Sequence, residues 1–144
     1  HSLRGFGIGI SWARPGHFAI NAPLAWRDGT RPAQTDGGGR NLAPRPMETV
    51  LAGSGGCSAY DVVTILRRGR HDVRGCTVKL HAERATTDPK VFTRVHMHFV
   101  VSGHQLNDDA VARAVALSRE KYCSATAMLV KTAQVTTSYE VVAT

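Results

Sequence analysis

Cysteine is scarce in this chain of 144 residues, which contains Cys57, Cys76 and Cys123 and no others. An odd count, with no CxxC or CxxH pair, argues against a zinc site and against the disulfide framework of a small secreted protein. The sequence therefore predicts no metal site. Reduced thiols are typical of a cytoplasmic protein, which is the location we expect.

Long apolar runs are also missing. No uninterrupted run approaches the roughly 18 residues that a membrane-spanning helix needs, and we find no secretory signal. The length fits one domain, residues 1–144, large enough to bury its own core. We expect no membrane partner.

A nucleic-acid recognition motif is absent as well, although the net charge is +7. The basic residues are scattered, and the densest cluster, Arg67, Arg68 and Arg70, falls where a helix is predicted to end. Basic side chains at that position complement the helix dipole. We therefore do not expect nucleic-acid binding. Binding of an anionic polymer is the weakest of the functions considered.

Residues 1–45 are predicted to form strands and a loop. Apolar residues alternate from Phe6 to Trp12, and the alternation resumes through Phe18 and Ile20 after a turn at Pro15-Gly16. Glycine and proline dominate residues 28–45, which have no hydrophobic period and indicate a surface loop.

Residues 46–144 begin with a predicted helix from Pro46 to about Gly69. Proline is favoured in a first helical turn, but the glycines at positions 53, 55 and 56 are poor helix formers. Two explanations remain open. Either the helix breaks there and Ser54 caps a second helix, or another backbone packs closely against the glycines.

A β-hairpin is predicted next. If Leu80 faces Met97, then Glu83 faces Arg94 across the strands, and Cys76 lies on the apolar face as an inert core thiol. The apolar face of the second strand is predicted to begin at Val91. The opposite face collects Lys79, His81, His96 and His98, which indicates a solvated surface rather than a metal site, because no carboxylate accompanies them.

The remaining elements are two helices and a strand. Asn107 is predicted to cap a helix that ends near Tyr122, Cys123 to open a short helix, and residues 135–142 to form the last strand. Hairpins and helices that are segregated along the chain indicate an α+β fold.

Cys57 and Cys123 are both predicted to lie in the first turn of a helix, where unpaired N–H groups favour the reactive thiolate. A thiolate can attack a peroxide and become a sulfenic acid, which a second thiol converts to a disulfide. Spacing alone does not bring these cysteines together, because they are 66 residues apart. Two buried, inert thiols are the alternative.

The segments "PMETVLAGSGGCSAYDVV" and "EKYCSATAML" resemble the OsmC/Ohr family of osmotically inducible and organic hydroperoxide resistance proteins. More narrowly, they are similar to an OsmC-like branch whose activity is less well defined. The resemblance implies an OsmC-like α+β fold, in which antiparallel sheets wrap around central helices in an intertwined homodimer. In such a dimer the glycines near Cys57 would allow helix backbones to approach closely.

The same resemblance implies residue roles. Cys57 would be the peroxidatic cysteine and Cys123 the resolving one, with a dithiol reductant of the lipoyl type and no cofactor. Peroxidase members place a glutamate where this chain has Met47, so Glu48 is the candidate carboxylate, one residue later. An arginine would hold the thiolate; Arg40 is our choice over Arg31 and Arg45, because flexible glycines precede it.

The leading hypothesis is therefore a cytoplasmic thiol peroxidase that reduces organic hydroperoxides. The alternative is a non-catalytic dimer of the OsmC fold that binds a small apolar ligand or a partner in the same pocket.

Overall fold

The computed structural model describes residues 2–3, 9–14, 17–21 and 46–144, with side chains from residue 46 onward. Strands β1 (Ser2–Leu3), β2 (Gly9–Arg14) and β3 (His17–Asn21) precede the first helix. Both alternating segments are strands, as predicted, and they pair antiparallel with Trp12 opposite Phe18. The predicted loop at 28–45, with Arg31, Arg40 and Arg45, lies outside the described residues.

Helix α1 (Pro46–Arg68) is continuous through its glycines. The Ser54 hydroxyl donates a hydrogen bond to the Val50 carbonyl one turn back, at 2.9 Å, so Ser54 is an interior helical residue. The alternative in which the helix breaks and Ser54 caps a second helix is therefore wrong. Packing of the apolar face of α1 compensates for the low helix propensity of the glycines.

By length and composition alone, α1 is apolar enough to cross a membrane, but about half of its most apolar stretch is buried inside the protein. Fully buried Leu51, Ala59 and Val62 share one side of the helix. This pattern is typical of the core helix of a globular fold.

Strands β4 (Asp72–Arg84) and β5 (Phe92–His104) form the predicted antiparallel hairpin. Leu80 faces Met97 and Glu83 faces Arg94, which confirms the predicted register. The prediction for Val91 is wrong, because β5 starts one residue later and Phe92 occupies the buried position beside a register shift in β4.

The second half of the chain returns to the sheet through helices. Helix α2 (Asp108–Leu117) continues into a π-helical segment (Ser118–Tyr122), and helix α3 (Ser124–Leu129) leads to strand β6 (Gln134–Ala143). The Asn107 side-chain oxygen accepts a hydrogen bond from the Ala110 amide at 3.2 Å, which confirms the predicted cap.

The larger described sheet has the strand order β1-β4-β5-β6. β1, β4 and β5 pair antiparallel, as the resemblance implies, whereas β6 runs parallel to β5, so this sheet is mixed. A helical crossover returns the chain to the start of its neighbour, so the next strand pairs in the same direction. The helices α1 and α2 pack against one face of this sheet, and the core between them includes Leu66, Val78, Leu80, Met97, Phe99, Val111 and Val115.

The other face of the sheet carries the histidines, as predicted. His81 faces His96, and Lys79 faces His98. Both His96 and His98 form hydrogen bonds with Ser138 of β6, and burial together with the neighbouring His81 and His98 lowers the pKa of His96. Among the residues that the structure describes, these histidines do not form a metal-ligand cluster.

Candidate functional site

Cys57 lies near the middle of α1 and is half-buried. The prediction that it stands in a first helical turn is therefore wrong, because α1 starts at Pro46 rather than after the glycines. The N–H groups of its own helix are used within the helix at that depth. The backbone N–H of Ala125, in α3, forms the hydrogen bond to the Cys57 sulfur.

Cys123 is the N-cap residue of α3 and is only 3% exposed. Its Sγ accepts a hydrogen bond from the Thr126 amide at 3.4 Å and one from the Ser58 hydroxyl at 3.2 Å. The predicted position of Cys123 at the start of a helix is thus confirmed. Two donors converge on this sulfur from different elements.

The structure places Cys57, Cys123 and Asp61 next to one another. Their sulfur and carboxylate oxygen atoms all lie within 4.8 Å of one another. Both cysteines are free thiols. The spacing in the sequence left this proximity open, and the fold creates it by packing the α2–α3 region against α1.

Cys76 differs from the other two cysteines in its environment. It is 1% exposed on the core face of β4, and burial raises the pKa of its thiol to about 12. This confirms the predicted position of Cys76 in the core and predicts an unreactive thiol at neutral pH.

The environment of Cys57 opposes ionisation. Burial raises the pKa of the thiol, the Ala125 N–H counteracts this effect, and Cys123 and the Asp61 carboxylate raise the pKa further. The sequence predicted the opposite, a pKa of Cys57 lowered by a helix N-terminus. Within the described residues, the balance favours the protonated thiol.

Asp61, Ser58 and Ser118 are site residues that sequence reasoning missed. The Ser118 hydroxyl donates to the Asp61 carboxylate at 3.3 Å and lies 3.4 Å from the Ser58 carbonyl oxygen. Burial raises the pKa of Asp61, and the hydrogen bond from Ser118 opposes that rise. The four-residue spacing from Cys57 was the available signal for Asp61, because residues at i and i+4 share a helix face.

Glu48 is not brought to Cys57 within the described chain. It is fully buried and lies on the same side of α1 as Leu51 and Ala59. Nine residues separate it from Cys57, which corresponds to about 180° around the helix and about 13 Å along its axis. Arg40, the predicted thiolate-binding arginine, lies outside the described residues.

Comparison with known proteins identifies relatives over most of the chain. The family model for OsmC-like proteins matches residues 37–138. Protein YhfA of Escherichia coli strain K12 is 56% identical over 108 residues, which are 75% of this chain and 81% of that protein.

Solved structures show a similar fold. A hypothetical protein from Aquifex aeolicus VF5 is 33% identical, with a TM-score of 0.66 over 69% of this chain and 75% of that one. A Legionella pneumophila structure, named an organic hydroperoxide resistance protein OsmC, is 18% identical, with a TM-score of 0.57 over 92% of this chain and 96% of that one. This similarity confirms the predicted α+β fold.

Proposed function

Because the chain belongs to the family of OsmC-like proteins, we propose that it is a thiol-dependent peroxidase that reduces organic hydroperoxides. The observation that carries this proposal is the proximity of the Cys57 and Cys123 sulfurs, which lie within 4.8 Å although 66 residues separate them. The Legionella pneumophila relative named for hydroperoxide resistance supports the choice of substrate class.

The exposure of the two thiols suggests their roles. Cys57 is half-buried and Cys123 is almost fully buried, so a peroxide meets Cys57 first. In the proposed reaction, the Cys57 thiolate attacks one peroxide oxygen, the O–O bond breaks, and the alkoxide leaves as an alcohol after taking a proton. Cys57 is then a sulfenic acid.

Cys123 resolves that intermediate. Its sulfur attacks the Cys57 sulfur, water leaves, and a disulfide forms. The sulfurs must approach by less than about 3 Å to reach the S–S bond length of about 2.05 Å. A dithiol of the lipoyl type, which we propose as the reductant, restores both thiols by exchange.

Activation of Cys57 needs a cation, because burial, Cys123 and Asp61 all raise the pKa of its thiol. We propose Arg40 for this role. Because Glu48 lies on the opposite side of α1 from Cys57, we expect Glu48→Gln to change only the stability. A shift in the pH profile of Cys57 would instead indicate that the carboxylate acts on the thiolate.

The direct test is stopped-flow consumption of cumene hydroperoxide with dihydrolipoamide as reductant. We expect turnover by the wild type, none by Cys57→Ser, and unchanged turnover by Cys76→Ala, the matched control. Mass spectrometry after one equivalent of peroxide should find a Cys57–Cys123 disulfide, whereas Cys123→Ser should accumulate the sulfenic or sulfinic acid of Cys57.

Wild-type protein whose Cys57 stays unmodified in excess cumene hydroperoxide, while remaining folded and open to alkylation, would rule out the peroxidase. That outcome favours the non-catalytic dimer that binds an apolar ligand or a partner.

A further inference from the structure

We propose that the reduced protein binds a thiophilic divalent metal ion, of the Zn²⁺ or Cd²⁺ type, through Cys57, Asp61 and Cys123. Each residue offers one ligand atom, and the three atoms lie within 4.8 Å of one another. The proposal does not depend on peroxidase activity, because it requires only the ligands and their geometry.

The separation of the ligand atoms fits a tetrahedral ion. With Zn–S bonds of about 2.3 Å, two sulfurs in such a site stand about 3.8 Å apart, and a carboxylate oxygen binds at about 2.0–2.2 Å. The two sulfurs, which lie within 4.8 Å of each other, therefore need to move closer by at most about 1 Å. Three protein ligands leave the fourth position for water.

Two elements supply the ligands. Cys57 and Asp61 stand four residues apart on the same side of α1, a spacing that lets two helical side chains bind one ion. Cys123 comes from the junction between the π-helical segment and α3. Since Cys57 and Asp61 are only half-buried, an ion can enter from their side.

Hydrogen bonds support all three ligands. The Ser118 hydroxyl donates to the Asp61 carboxylate at 3.3 Å. The Ser58 hydroxyl and the Thr126 amide donate to the Cys123 sulfur, and the Ala125 amide bonds to the Cys57 sulfur. Such bonds orient metal ligands and disperse the negative charge of thiolates.

The ligand set selects the class of metal. Two thiolates favour Zn²⁺, Cd²⁺ and similar ions over Mg²⁺ and Ca²⁺, which prefer oxygen. Binding releases the two thiol protons to solvent. A Cys57–Cys123 disulfide uses both sulfurs, so metal binding and the disulfide exclude each other and oxidation should release the ion.

The test is an anaerobic titration of the reduced full chain with Co²⁺, whose charge-transfer absorption reports thiolate bonds. The histidines of the sheet do not produce that absorption. We expect saturation at one ion per chain and displacement by Zn²⁺. Asp61→Asn should weaken binding at least about tenfold, on the scale seen for disturbed metal sites. Cys123→Ser should lose most of the charge-transfer band.

Asp109→Asn and Cys76→Val are the matched controls and should bind like the wild type, because neither residue belongs to the cluster of ligand atoms. Unchanged affinity in Asp61→Asn would overturn the three-ligand site. If that variant does not fold, the wild-type protein provides the test. After oxidation with diamide it should not bind Co²⁺, and reduction should restore Co²⁺ binding. Equal binding by both forms contradicts the proposal.

Discussion

Cys57 is subject to opposing influences from its neighbours. Burial and the nearby Asp61 carboxylate favour its thiol form, and the Ala125 N–H favours the thiolate. Because the thiolate is the nucleophile, the reactivity of this residue depends on which influence is removed. The site can therefore be adjusted in either direction by a single substitution.

We expect Asp61→Asn to lower the pKa of Cys57, because it removes a negative charge that disfavours the thiolate. At a given pH below the wild-type pKa of Cys57, the variant has a larger thiolate fraction than the wild type. Its Cys57 should therefore be alkylated faster by iodoacetamide. Arg40→Ala should have the opposite effect if that arginine holds the thiolate. The rate of modification of the Cys57 peptide, followed by mass spectrometry across a pH series with a chelator present, measures both.

Asp109→Asn removes an equal charge away from the site and serves as the control. A pH profile for Asp61→Asn that coincides with the wild-type profile would contradict the assigned effect of Asp61.

The connection from α2 through the π-helical segment to α3 positions half of the site. Ser118 opens the π-helical segment and Cys123 follows its last residue, so the direction of α2 determines where both side chains lie. The start of α2 depends on the side chain of Asn107, which satisfies the Ala110 amide.

We expect Asn107→Ala to lower the free energy of unfolding by about 1 kcal/mol, since an N-cap residue accepts a hydrogen bond that alanine cannot. Denaturant unfolding followed by circular dichroism measures this change. Asn107→Ser should recover most of the loss, because serine can cap the same amide. If the alanine and serine variants are equally destabilised, the cap is not the cause.

The described residues leave one side of α1 exposed. Val50, Gly53 and Tyr60 are exposed there. Among the described residues, a Cβ atom added at Gly53 would meet nothing within 4 Å. An apolar, glycine-containing stripe of this kind suits close packing against a second copy, as the resemblance to the family implies.

We expect the protein to be a two-fold homodimer, with a two-chain mass by light scattering at micromolar concentration. Gly53→Leu should shift the protein toward the monomer, because the single chain has room for the larger side chain but a closely packed partner does not. Ala116→Leu, on the exposed side of α2, should leave the mass unchanged. A wild-type protein that is a stable monomer would contradict this expectation.

Most helices and strands could be predicted from the sequence, which also singled out Cys57 and Cys123 as candidate site residues. Alternating apolar residues predicted the hairpin and its register down to Glu83 and Arg94, and Asn107 marked the start of α2. The family motif around Cys57 and Cys123 indicated the α+β fold. These features depend on local spacing and on short-range hydrogen bonds, which are visible in a linear chain.

The arrangement of the site could not be predicted from the sequence, because it depends on contacts between distant segments of the chain. Only the packing of α3 against α1 places Ala125 and Cys123 beside Cys57 and Asp61. The absence of a CxxC pair argued against a metal site, whereas the metal proposal rests on Cys57, Asp61 and Cys123, whose side-chain atoms the fold places within 4.8 Å of one another. Cys57 was expected to lie at the N-terminus of its own helix, but packing compensates for the glycines and α1 continues through them. The backbone N–H that favours its thiolate comes instead from Ala125 in α3.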